Sequence, residues 1–246
     1  MSEIFVFSFY FTGLLSQFNI SNIISSGIIS ILIFIFLLKS ANSSKVIDKT
    51  QLFILLSLLC WVAAEFLYGY YGGFLEIDPY PSPADLLYIT GYLFFILFLV
   101  SINAKYKLEL AFIVSSLVTF SLLVFYVLYI SIFVYQVSDF GGSIYDLILL
   151  FTYPIFDLFI IVGSIMYYFR GRTISLDKEN NYWIFIAFFG FFSFIADLAY
   201  GYDDIFNITN NDYLFDLLYN IGYLLLGIAI IIRLSYSSIQ RKYRLI

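Results

Sequence analysis

Apolar residues run along this chain in long unbroken stretches, without the strict alternation of a half-buried strand or the narrow stripe of an amphipathic surface helix. The stretches fall at 21–38, 51–71, 83–103, 110–135, 143–169, 182–202 and 213–234. Each is close to the roughly 20 residues of helix that cross a hydrocarbon core about 30 Å thick. Only a helix or a closed barrel satisfies its own backbone in lipid, and runs of this length select the helix. The pattern predicts an all-α fold, a polytopic membrane protein of seven transmembrane helices. A shorter apolar stretch, Ile4 to Leu15, has neither the length of a span nor the basic flank and cleavage site of a signal peptide. It is expected at the outer interface.

The runs are internally related. EFLYGYY from Glu65 aligns with DLAYGYD from Asp197, and DLLYITGY from Asp85 aligns with DLLYNIGY from Asp216, at offsets of 132 and 131 residues. Six of the eight positions in the second block are identical. Carrying the offset back places the first predicted helix on the fifth. The chain then reads as three helices, one linker helix and three helices. The odd linker leaves both units in the same orientation, as a parallel repeat about an axis along the membrane normal. One membrane domain results: residues 1–103 hold the first unit and the outer segment, 110–135 the linker, 143–234 the second unit and 235–246 a short basic tail. Gly91 and Gly222 fit close helix contact and the repeated tyrosines fit interface anchoring, so packing alone is a competing explanation for those positions.

Charge orients this arrangement. All 12 basic residues fall in one alternate set of loops and helix ends, from Lys39, Lys45 and Lys49 through Lys105, Lys107, Arg170, Arg172, Lys178 and Arg233 to Arg241, Lys242 and Arg244. The other set carries Glu76, Asp78, Asp139, Asp203, Asp204 and Asp212. Basic loops are retained inside, which puts the N-terminus outside and the C-terminus in the cytoplasm of a cell membrane. The composition, 62% hydrophobic and 12% charged, agrees with a multi-pass chain. With a single cysteine, Cys60, and no histidine, an internal disulfide and a histidine-ligated zinc hydrolase are excluded. No predicted span holds the lysine that a retinal Schiff base needs. No phosphate loop, nucleophile elbow or nucleic-acid patch is present, and no motif names a cofactor or a catalytic residue. Sequons stand at Asn19 and Asn207, and the bias toward Ile, Phe, Tyr and Asn points to a prokaryotic host.

The acids inside the spans carry the candidate chemistry. A charge near the bilayer centre costs about 2.5–3.5 kcal/mol on insertion scales, so each calls for a reason. Six lie in predicted helices, Glu65, Asp85, Asp146, Asp157, Asp197 and Asp216, and no basic residue shares the outer half or middle of the membrane with them. They have to be protonated, hydrogen-bonded to neutral donors, open to outer water or bound to a cation. Asp85 after Ser82 and Pro83, and Asp146 after Ser143, have capping-box spacing, and capping is the favoured reading for both. Asp216 sits about one turn into the last helix, where it also complements the helix dipole.

Glu65 and Asp197 lie about 21 Å from the inner ends of their helices, too deep for a cap. Tyr68 and Tyr200, three residues on, share their faces and can donate to them, so a neutral structural carboxyl is the competing account. Asp157 is the deepest acid, about 18 Å from either end of its helix. It follows Pro154, which leaves the Leu150 carbonyl without its usual donor, and Tyr153 and Asp146 share its face to form a polar stripe running inward. The candidate ligand-binding set is Asp157, Asp197, Glu65, Asp216, Asp85, Tyr153, Tyr200 and Tyr68. Its oxygen-rich chemistry suits a hard cation or a proton and leaves any metal undefined.

The strings PYPSPADLLYITGY, LLFTYPIFDLFII, IADLAYGYDD and DLLYNIGYLL together resemble a multi-helix membrane module, the input region placed ahead of diguanylate cyclase and histidine kinase domains in many prokaryotic sensors. The resemblance covers most of residues 51 to 232 and implies a site involving Asp85, Asp157, Asp197 and Asp216. Since the sequence ends soon after its last helix, signalling through this module is expected to need a cytoplasmic partner. The leading expectation is a sensor or receptor-like module that binds a small ligand, cation or proton from outside. The alternative is a small-solute or ion transporter, because the repeat also looks like that of the sugar-transporting seven-helix proteins, though without their Pro-Gln signature. A membrane enzyme ranks last. The partners expected are the lipid bilayer, a signalling protein and a further copy of the chain, with no nucleic acid.

Overall fold

The structure, a computed structural model, describes residues 20–41, 49–77, 79–103, 110–134, 143–173, 180–206 and 212–243. The expected outer segment, both sequons and the connecting segments with Lys45, Lys105, Lys107, Asp139 and Lys178 lie outside these residues. Among the described residues seven α-helices are formed: α1 (Ile20–Ala41), α2 (Lys49–Gly73), α3 (Pro83–Asn103), α4 (Leu110–Val134), α5 (Ile144–Thr173), α6 (Asn181–Phe206) and α7 (Asp212–Tyr243). Each coincides with one predicted run. α5 and α7 continue past the apolar ends at 169 and 234. The Gln, Arg and Lys in the sequence of the α7 extension are good helix formers. Part of the expected basic tail is therefore helical.

Five helices are long and apolar enough to cross a membrane: Thr50–Gly73, Pro83–Ile102, Ile144–Phe169, Asn181–Phe206 and Phe215–Arg233. The described apolar stretches of α1 and α4 are shorter, Gly27–Phe36 and Ser115–Ser131. Large apolar side chains face outward, among them Ile31, Phe66, Leu86, Phe120 and Ile144, each at least 60% exposed. A surface of this kind is compatible with contact with lipid tails.

Six helices close into one bundle. α1 packs on α2, α2 on α3, α3 on α5, α5 on α6, α6 on α7 and α7 back on α1, while α4 lies outside against α5. Tyrosine hydroxyls fasten α4, Tyr126 donating to the Phe151 carbonyl at 2.6 Å and Tyr129 to the Leu198 carbonyl. The interior is aromatic. Trp61 of α2 is 2% exposed, and its ring lies 5.4 Å from Tyr92, 5.7 Å from Phe95 and 5.5 Å from Phe189, so it joins α2 to α3 and α6.

The α3–α5 contact is a ladder. Tyr80 donates to the Asp146 carbonyl at 2.8 Å, Tyr153 to Asp85 Oδ1 at 2.5 Å, Tyr92 to Asp157 Oδ1 at 2.8 Å and Tyr167 to the Leu99 carbonyl at 2.5 Å. The partners are separated by 65 to 68 residues throughout, so the two helices run parallel and in register. α1 and α7 are parallel too. Ser25 donates to Asn220 Oδ1 at 2.7 Å, and one heptad further along both helices Leu32 meets Gly227.

A missing side chain lets α2 and α3 approach. A Cβ on Gly91 would stand 2.4 Å from Trp61 Nε1, whereas one on the repeat-related Gly222 would find its nearest neighbour, Phe189 Cδ2, at 3.4 Å. Because Trp61 is wedged among other rings, Gly91→Ala is expected to lower stability by about 1–3 kcal/mol, and Gly222→Ala by no more than roughly 0.5 kcal/mol. Unfolding in detergent measures both. Equal losses would contradict the tighter α2–α3 approach.

Candidate functional site

At the helix starts, the structure forms both expected capping boxes. Asp85 Oδ2 accepts the Ser82 backbone N–H at 2.7 Å, and Ser82 Oγ accepts that of Ala84 at 3.1 Å. Asp146 accepts the Ser143 N–H and hydroxyl at 2.6 Å each. The two acids then diverge. Asp146 is half-buried, whereas Asp85 is 5% exposed and holds the Tyr153 hydroxyl as well, so it caps α3 and ties it to α5. Asp146→Ala removes a cap and is expected to cost about 1 kcal/mol. Asp85→Ala also orphans a buried hydroxyl and should cost about 2–4 kcal/mol in the same unfolding assay. Matching losses would mean that the Tyr153 bond contributes nothing. Tyr80 stands at this end, its phenol pushed above the usual range by burial and by its neighbours Tyr200, Asp85, Asp204 and Asp146, so it acts as a neutral donor.

Deeper in the bundle, each remaining buried acid is held by a tyrosine of another helix. Asp157 of α5, fully buried beside the buried Pro154, accepts from Tyr92 of α3 at 2.8 Å. Glu65 of α2 accepts from Tyr223 of α7 at 3.0 Å, and Tyr88 lies beside it. Asp197 of α6 accepts from Tyr219 of α7. The carboxyl groups of Asp157 and Asp197 also meet each other directly. Neither their Oδ2 atoms nor the buried Ser57 and Ser164 hydroxyls have a hydrogen-bond partner. Trp61 closes this layer from below, its Nε1 donating to the Tyr88 carbonyl at 3.3 Å.

Of the residues singled out from the sequence, the structure brings Asp157 and Asp197 into contact and joins Asp85 to Tyr153. Glu65 enters through Tyr223, which feels both Asp197 and Asp157. Tyr200 packs edge-on against Tyr80 at 5.6 Å and Phe215 at 6.3 Å. Tyr68 is half-buried near Tyr88, and Asp216 is half-buried near the start of α7. The sequence reading missed Tyr92, Tyr219 and Tyr223 as donors and Trp61 as the central ring. A signal for the tyrosines was present, since Tyr88 and Tyr92 of the first repeat block recur as Tyr219 and Tyr223 of the second.

Among the described residues, no group of three or more His, Cys, Asp or Glu side chains is arranged to hold a metal ion. Fold and site together define a helical protein of membrane type whose buried acids are clasped by tyrosines within an apolar exterior. Comparison with protein families, with curated proteins and with solved structures finds no match to this chain.

Proposed function

We propose that this chain is a seven-span sensor or receptor-like module, built from two related three-helix units, that responds to a small ligand, cation or proton arriving from the acidic outer side. The observation that carries the reading is that α3 is joined to α5 by two acid–tyrosine bonds, Tyr92 to Asp157 and Tyr153 to Asp85, and α2 to α7 by a third, Tyr223 to Glu65. With α1–α3 as one unit and α5–α7 as the other, these bonds lie between the units. A change in the charge of Asp157, Glu65 or Asp85 therefore acts on the seam rather than inside either half.

The packing supports the repeat. Exchanging α1–α3 with α5–α7 maps the closed bundle onto itself, and both seams, α3–α5 and α7–α1, are parallel helix pairs. The resemblance to the input region of prokaryotic cyclases and kinases agrees with this role and supplies the expectation of a cytoplasmic signalling partner. A ligand moves such an equilibrium only as far as it prefers one arrangement of the units.

The two tryptophans allow a direct test. Trp183 stacks on Tyr167 at 4.3 Å near the opposite end of α6 from Asp197, so Trp183→Phe leaves Trp61 as sole reporter beneath the acids. In lipid nanodiscs its emission should shift on titration with acid or with one of a panel of cations, and the shift should disappear in Asp157→Asn. Emission unchanged across the whole panel would refute the reading. Sustained solute or ion flux in proteoliposomes would replace it with the transporter.

A further inference from the structure

The two acids that meet in the α5–α6 contact are unequal in their two oxygens. Tyr92 fixes Oδ1 of Asp157 and Tyr219 fixes Oδ1 of Asp197, each supplying a hydroxyl proton. The Oδ2 atoms are buried and receive nothing, although Asp157 is 0% and Asp197 9% exposed. Two ionised carboxylates in contact repel, and a buried acceptor without a donor loses its hydration uncompensated. A positive species shared by the two carboxyl groups relieves both costs. No basic residue supplies it, because α3, α6 and the apolar length of α5 contain none, α2 has only Lys49 at its start and the α7 arginines and lysine begin at Arg233.

We propose that Asp157 and Asp197 form a carboxyl–carboxylate pair that binds one proton between their Oδ2 atoms, and that this proton is the species the module reads. The inference rests on the sensing reading and names its ligand. A proton is favoured over a metal ion by charge and coordination: a hard cation takes six or more oxygens, whereas among the described residues no third His, Cys, Asp or Glu joins the two acids in a metal-holding group, and a proton needs only two acceptors. The groups facing the pair are Tyr92 from α3, Tyr153 of α5, Tyr219 and Tyr223 from α7, Glu65 of α2 through Tyr223, Asp85 of α3 through Tyr153, and Tyr129 of α4, whose hydroxyl bonds the Leu198 carbonyl. All are phenols or acids, so the proton has no competing cation to displace.

Infrared spectroscopy of the protein in lipid tests this. The wild type at neutral pH should show a protonated carboxyl band that shifts in D2O, and the difference from Asp157→Asn and from Asp197→Asn should remove one carboxyl in each case. Asparagine at either position donates its amide N–H to the surviving carboxylate, so both variants should fold. A wild-type spectrum without the band overturns the proposal with no variant needed, as does a band whose intensity is unchanged in either variant. Stabilisation of the wild type by sodium, potassium or calcium at fixed pH, lost in both variants, would assign the pair to that cation and overturn the proton, leaving the sensing reading intact. Loss of the band in both variants with Trp61 emission unchanged across the pH range in which the wild-type band itself appears and disappears would keep the shared proton and discard the sensing reading.

Discussion

Trp61→Ala should be among the most damaging single substitutions in the bundle, lowering unfolding stability by about 3–5 kcal/mol. In lipid the transfer part of a large-to-small penalty is weak, because the tails are as apolar as the core. The cavity part remains, and it rises with the volume that neighbours fail to fill. Trp61 is 2% exposed and contacts rings from α3, α6 and α7, so a collapse that fills the space would have to move several helices together. Trp61→Phe keeps most of that packing and loses the Nε1 bond to the Tyr88 carbonyl, a difference of about 0.5–1.5 kcal/mol. The Gly91 contact adds a signature that only a steric clash produces. In the Trp61→Ala background Gly91→Ala should become nearly silent, because the atom it would strike is gone, and the two losses should fail to add. Additive losses would show that Gly91 is required for its backbone rather than for the space occupied by Trp61.

The helices were legible because their signal is local and long. A run of about 20 apolar residues has one common structural outcome in lipid, and all seven predicted runs are helical. Asp85 and Asp146 were legible for the same reason, since a capping box is written within four residues. What the sequence could not supply was the partner across the bundle. Tyr68 and Tyr200 share a helical face with Glu65 and Asp197, and the structure adds donors that no single helix reveals, Tyr223 on Glu65 and Tyr219 on Asp197, both from α7. Helical periodicity says which way a side chain points and is silent about what waits there. The repeat held part of the answer. Glu65 and Asp197 occupy matching positions, as do Tyr88 and Tyr219, and the pairing of Tyr219 with Asp197 has its counterpart in Tyr88 beside Glu65. Asp157 has no acidic equivalent, because the same offset leads to Ser25, which bonds Asn220 instead. The acid between α3 and α5 thus has no acidic counterpart at the matching sequence position, and its Oδ2 atom is one of the buried oxygens without a hydrogen-bond partner.

That asymmetry makes Asp157 the second site of large effect. Asp157→Ala leaves the buried Tyr92 hydroxyl without its acceptor and Asp197 without its neighbour, and should lower stability by about 2–3 kcal/mol. Asp157→Asn keeps an oxygen for Tyr92 and gains an amide donor for Asp197, so its loss should stay below about 1 kcal/mol. Tyr92→Phe alone should cost about 0.6–1.7 kcal/mol, the range of side-chain hydrogen bonds inside membranes. A double-mutant cycle of Tyr92→Phe with Asp157→Ala then isolates the bond, since the alanine variant should lose less once the hydroxyl is already gone. Reversible unfolding in mixed micelles supplies the four free energies. If Asp157→Asn and Asp157→Ala prove equally harmful and the cycle shows no coupling, the ionised carboxylate itself is what the bundle requires. A bound cation would then be the species that neutralises it, because an amide can replace a shared proton's hydrogen bond but cannot replace the charge that a cation needs.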